Sequence, residues 1–237
     1  MNELYRWTRK YVTPKVTTYL IDFSSETSER AHMESKLYNI PTLLLRAGGV
    51  ASVLAGALMI LGFALHPKGE DATFGTDPLW VPAHGLLWLA FTVAVLGWVG
   101  LYIAEASKAG KLGVAGFVSV VLGTSLASWI FSSDVTYVPV IAAEYPTLFQ
   151  DIFNVSHILV GVLSVLFWVL GCVIFGLSVI RAHVFPKWAG GLLVVGTLLV
   201  PFAYLAELPE KVVVAGGIIA GAAQVWLGYT LLRLLGR

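Results

Sequence analysis

Charge is what this sequence has least of. Only 12% of its 237 residues are Asp, Glu, Lys or Arg, against 57% hydrophobic. So few charges cannot cover a water-facing surface over the whole chain, which excludes a soluble fold. Cysteine is almost absent, with Cys172 alone; an intrachain disulfide and a thiolate metal cluster are therefore excluded, and Cys172 reads as a small core residue. The formal net charge is +1, so no bias points to nucleic acid as a partner. Stretches that alternate polar and apolar residues are also missing, which excludes a membrane β-barrel.

What the chain does have is long apolar blocks and a mean hydropathy of +0.81. Six blocks run over 43–65, 81–104, 112–132, 155–180, 187–207 and 212–234. Each can cross about 30 Å of hydrocarbon, which takes roughly 20 helical residues. Inside lipid every backbone polar group needs an internal partner, and continuous apolar runs select helices. The expected fold is all-α: a polytopic, multi-pass protein of the cell membrane, a six-transmembrane-helix bundle in contact with the lipid bilayer. Residues 1–42 form a cytoplasmic or interfacial N-terminal segment, and 43–237 the transmembrane domain. The first 42 residues hold no apolar core of the kind a cleavable signal needs. Between Leu4 and Phe23, Tyr5, Trp7, Tyr11 and Tyr19 mix with Arg6, Arg9, Lys10 and Lys15, a composition suited to the headgroup region.

The basic residues give the bundle a direction. With the N- and C-termini cytoplasmic, thirteen of the fifteen Lys and Arg residues fall inside and only Lys68 and Lys211 outside. Basic flanks resist translocation, so this is the expected orientation. The outer face then carries Glu70, Asp71, Asp77, Asp134, Glu144, Asp151, Glu207 and Glu210.

The second and third blocks resemble the fourth and fifth. His84 opens one pair and His157 the other, each followed by an internal Leu-Gly, a basic turn, and a Gly-rich stretch closed by Gly-Thr (Gly123-Thr124, Gly196-Thr197). A parallel duplication of this helix pair would place His84 and His157 opposite each other at one depth.

Three histidines, His66, His84 and His157, stand at the expected outer ends of helices. Ionisable groups at membrane depth are costly and face the bundle interior or a functional cavity. Helical spacing puts Trp88, Phe91, Val95, Trp98 and Tyr102 on the face of His84, and Gly161, Ser164, Trp168 and Gly171 on that of His157. Two imidazoles across a gap lined by aromatics and small residues suit axial ligation of haem iron. The leading expectation is thus a membrane subunit that binds b-type haem through His84 and His157, with Trp88 and Gly161 beside it, and transfers electrons at the outer face, to or from quinol or a partner subunit. A non-haem metal site is the first alternative: His84, His157 and His66, with a carboxylate from the loop 132–156, would hold copper or zinc. No pair of these residues has helical ligand spacing. The second alternative is a non-catalytic subunit packed against other membrane proteins through Gly-rich helices.

Ser119, Thr124, Ser125, Ser128 and Gln224 read as structural hydrogen-bonding groups. No Asp, Glu, Lys or Arg falls at mid-membrane in this reading, which counts against an ion-coupled transporter. The turn Val184-Phe185-Pro186-Lys187-Trp188-Ala189-Gly190, with Leu65-His66-Pro67 and Pro82-Ala83-His84, resembles prokaryotic six-span membrane proteins that carry a Phe-Pro-Lys/Arg-x-x-Gly turn before the fifth span. That resemblance implies the fold and assigns no chemistry. The histidine spacing does not match the patterns of the cytochrome b families.

Overall fold

A computed structural model describes residues 42–67, 74–145 and 156–236. The expected interfacial segment and the basic residues before position 42 lie outside the described residues. The helices are α1 (Thr42–Ala64), α2 (Trp80–Thr136), α3 (Val138–Glu144), α4 (Ser156–Ala182), α5 (Lys187–Leu205) and α6 (Lys211–Leu235). A 3-10 turn, Phe74–Thr76, precedes α2, and no strand occurs among the described residues. Four helical stretches, Thr42–Ala64, Trp80–Glu144, Leu159–Ala182 and Lys211–Leu235, are long and apolar enough to cross a membrane, and Lys187–Ala203 is a shorter apolar helix.

The described residues are all-helical, with four helices fit to cross a membrane, but α2 departs from the expected pair of spans joined by a loop. Its 57 residues run as one helical element. Drawn out straight at 1.5 Å per residue they would reach roughly 85 Å. They do not, because at Gly110 the backbone takes φ 57° and ψ −156°, a conformation that only glycine enters at low cost. Beyond it the helix doubles back. Tyr102 and Phe117 stack with ring centroids 4.5 Å apart, the hydroxyls of Thr92 and Ser128 lie 2.7 Å apart, and the Trp80 indole Nε1–H donates to the Asp134 carbonyl at 2.7 Å. The two arms, 80–109 and 111–136, therefore form an antiparallel hairpin about a single glycine. Residues 105–111, expected as a loop, are helix up to that turn.

Small residues set the distances between helices. A side chain on Gly48 would lie 2.5 Å from the Cα of Gly100, so α1 and the first arm of α2 meet backbone to backbone. Gly116 and Gly123 of the second arm sit directly on Phe175 and Trp168 of α4, and Gly171 returns the contact on Val120. Gly176 and Gly190 join α4 to α5, and Gly56 and Gly221 join α1 to α6. Without a hydrophobic force to bring helices together in lipid, close van der Waals approach of this kind holds a bundle. Cys172 is fully buried, in the same core that holds Phe175, Trp98 and Leu101.

These contacts define two ends. One end holds the Gly110 turn and the α4–α5 turn, together with Arg46, Lys108, Lys111, Arg181, Lys187 and Arg233, all exposed. The other holds His66, Trp80, His84, Asp134, Glu207 and Glu210. Lys211 is the single cation placed at that second end among the described residues.

Candidate functional site

The acidic end holds a partly open cavity of about 1030 Å³. Every helical layer contributes to its wall. Phe63 and His66 come from the end of α1, Trp80, His84, Leu87 and Phe91 from the first arm of α2, and Ala127, Ile130, Phe131 and Asp134 from the second arm. Gly161, Ser164, Val165 and Trp168 come from α4, and Val200 and Ala203 from α5. Glu207, Leu208 and Glu210 of the following turn close it with Val213 and Val214 of α6. Ligand pockets span about 300–1,000 Å³, so this volume suits an organic body and far exceeds a bare ion.

His84 is fixed at the head of the cavity and is 3% exposed. One turn of helix earlier, the Trp80 carbonyl accepts a hydrogen bond from His84 Nδ1 at 2.9 Å. A carbonyl can only accept, so Nδ1 carries the proton and the neutral ring keeps its lone pair on Nε2. The Trp80 indole lies over the imidazole with centroids 3.7 Å apart, while its own N–H is held by the Asp134 carbonyl. Indole and carbonyl of one residue thus clamp both the face and the edge of the ring. The Asp134 carboxylate stands 4.0 Å from His84 Nε2.

His66 meets His84 with ring centroids 5.0 Å apart. Its Nδ1 lies 3.1 Å from the Pro67 carbonyl and 3.1 Å from Glu210 Oε1, so it too donates from Nδ1, and the neutral ring keeps its lone pair on Nε2. Both imidazoles therefore show the outer arrangement usual for metal-binding histidines, in which the far nitrogen donates to a carbonyl or carboxylate. Imidazole binds metals at about 2 Å, which puts a ring centroid roughly 3 Å from the ion and two rings on opposite sides of one ion about 6 Å apart. At 5.0 Å, His66 and His84 stand too close to face each other across an iron.

The expected site residues divide. His66 and His84 converge, and Gly161, Ser164 and Trp168 line the cavity with Phe91. Trp88 does not: it is 37% exposed on the outside of the bundle, because four residues turn a helix about 40° past a full circle, and Leu87 takes the inward place. His157 lies in α4 one turn before Gly161, but its side chain lies outside the described residues. Its expected position opposite His84 goes untested, and among the described side chains His66 is the imidazole that approaches His84. Asp134, expected in an exposed loop, lies in the last turn of α2 and is 6% exposed. Residues 146–155 of that loop lie outside the described residues; its described part continues α2 and adds the short α3.

Trp80 and Glu210 were not singled out by the sequence. Trp80 was legible, since it precedes His84 by one helical turn. Glu210 was not, because it reaches His66 across 144 residues. Among the described residues no three His, Cys, Asp or Glu side chains gather as ligands of one ion. Comparison with protein-family models, with curated proteins and with solved structures gave no match. The reading of the site rests on its geometry.

Proposed function

We propose that this is a six-span membrane protein, with the Gly110 turn on the cytoplasmic side, that binds a b-type haem in the cavity through His84 and transfers electrons at the opposite face. Six spans follow if each arm of α2 crosses once and α5 crosses as the fifth. The orientation is supported by the cations gathered around the Gly110 turn, since basic residues concentrate on the cytoplasmic side.

One observation carries the haem reading. His84, its ring locked at Nδ1 and its lone pair left on Nε2, lines an aromatic cavity of cofactor size. Zinc and copper sites draw three or more ligands from the protein, whereas a porphyrin supplies four nitrogens itself and asks the chain for one or two axial side chains. A single fixed histidine, with no third ligand converging on it among the described residues, fits the second demand. Position 157, on the α4 face that carries Gly161 and Ser164, is the candidate for the opposing axial side. A bound haem would accept and release one electron. The chain's own work is to hold His84 by Trp80, to keep water out with Phe63, Phe91, Phe131 and Trp168, and to present the redox centre to quinol or a partner subunit.

A second reading is favoured by charge. The lining contains Asp134, Glu207 and Glu210 and neither Lys nor Arg, which suits a cation better than the carboxylates of a porphyrin. In this reading copper or zinc is held at His66 and His84, with His157 as a third donor. The optical spectrum and metal content of the purified protein decide. A Soret band that disappears in His84→Ala, with the variant still monodisperse, supports haem. A colourless protein with stoichiometric copper or zinc supports the second reading, and a colourless, metal-free protein overturns both.

A further inference from the structure

The inward face of the first arm of α2 ends on a group that the cavity does not use. His84, Phe91, Trp98 and Glu105 follow one another at intervals of seven residues. Seven residues return a helix to within about 20° of the same direction, and all four are at most 3% exposed. The stripe starts at the cavity and ends on Glu105, the last turn before Gly110. Glu105 has no accessible surface. Its Oε1 accepts a hydrogen bond from Ser178 of α4 at 3.0 Å, and its Oε2 is buried with no hydrogen-bond partner among the described residues. Gly113 on the returning arm makes the room: a side chain there would lie 3.0 Å from Ser178 Oγ and 3.7 Å from Glu105 Oε1.

An isolated carboxylate in such a place needs a positive partner, because taking its charge out of water is not repaid otherwise. The charged and titratable groups at this end of the bundle are Arg46 of α1, Tyr102, Lys108 and Lys111 of α2, Arg181 and His183 at the end of α4, Lys187 of α5, and Tyr229 and Arg233 of α6. Tyr102 is half-buried and stacks on Phe117, the others are exposed, and none pairs with Glu105 among the described residues. Glu105 has no accessible surface, so no space as large as a water molecule adjoins it to admit a hydrated metal ion. The one positive partner that needs no added volume is a proton. We propose that Glu105 is a proton-binding site at the basic end of the bundle, distinct from the histidine cavity and independent of what that cavity holds. Ser178 fixes one oxygen, the proton sits on the other, and exchange takes place through the Gly110 turn, whose residues Lys108, Gly110 and Lys111 are exposed one turn away. Ionisable groups buried within membrane segments take such roles in relays.

Infrared difference spectroscopy on the full chain in lipid nanodiscs tests this, comparing acidic with alkaline buffer in H2O and in D2O. The expected result is a carboxylic C=O band that gains intensity on acidification, moves down in D2O and is missing from Glu105→Gln. In Ser178→Ala the band moves to higher wavenumber, since the C=O loses its donor. Glutamine has the shape of the protonated acid, so Glu105→Gln should fold and match the thermal midpoint of the parent in acidic buffer. An unchanged band in Glu105→Gln, no shift in Ser178→Ala, or a Glu105→Gln protein that does not fold overturns the proposal.

Discussion

Trp80 and Asp134, 54 residues apart, are joined by a hydrogen bond of 2.7 Å that closes the open end of the α2 hairpin. The bond couples fold to site, since the same indole covers His84 at 3.7 Å and the same residue's carbonyl holds His84 Nδ1. Trp80→Phe keeps an aromatic face over the imidazole and removes the indole donor together with part of the buried ring. The loss of this hydrogen bond and of that ring volume should cost about 1–3 kcal/mol. Thermal unfolding in detergent should show that loss. Trp80→Ala should lose more, about 3–5 kcal/mol, because a buried aromatic volume goes with it. Equal midpoints for the parent and Trp80→Phe would show that the hairpin closes without this bond.

The turn itself offers a test that separates backbone strain from crowding. Nothing lies within 4 Å of where a side chain on Gly110 would stand, yet its φ is +57°. Gly110→Ala therefore pays only for backbone conformation, of order 1–3 kcal/mol. Gly191→Ala, equally free of neighbours and inside the regular helix α5, should instead be neutral or gain slightly, as alanine favours the helix by roughly 1 kcal/mol. The two midpoints should move in opposite directions.

Close helix contact predicts a third pattern. Gly116 and Gly123 face the α4 backbone, at Phe175 and Trp168, with no space for a methyl group. Backbone cannot step aside as a flexible side chain can, so Gly123→Ala should force the helices apart and cost about 1–3 kcal/mol or more. Gly85, inside α2 with nothing within 4 Å, is the control: Gly85→Ala should, like Gly191→Ala, be neutral or gain slightly in thermal stability and leave any cofactor spectrum unaltered.

Much of this architecture could be read from the residues, and the parts that could not share a physical cause. The apolar blocks located the helices because lipid imposes a length, and positions 84 and 66 stood out because charge at that depth is costly. The hairpin was less visible: Lys108, Gly110 and Lys111 read as a loop, whereas a single glycine with positive φ reverses the helix within one residue. Glu105 was read with that loop for the same reason, and the structure buries it completely. Of the residues placed on the face of His84, Phe91 and Trp98 are buried and continue its inward line, whereas Trp88 is turned outward. Contacts between distant residues, such as His66 with Glu210, depend on how α1 and α6 pack, and periodicity within one helix carries no record of that.

Orientation in the membrane gives the last prediction, and the chain is well suited to it. Cys172 is the only cysteine and is fully buried, so Cys172→Ser should yield a protein that no thiol reagent labels. In that background, Lys211→Cys and Lys108→Cys place one reporter at each end, both at exposed positions. If basic flanks hold the Gly110 turn in the cytoplasm, a membrane-impermeant maleimide added to intact cells should label Lys211→Cys at once and Lys108→Cys only after permeabilisation. The reverse pattern would invert the bundle and place the histidine cavity on the cytoplasmic side. Labelling of both reporters from outside would mean that α2 does not cross and return as its hairpin implies, since a turn at residue 110 and the start of α6 could then not lie on opposite faces. The experiment thus tests the span count together with the direction. It also decides which side of the membrane the end of the bundle that holds His84 faces.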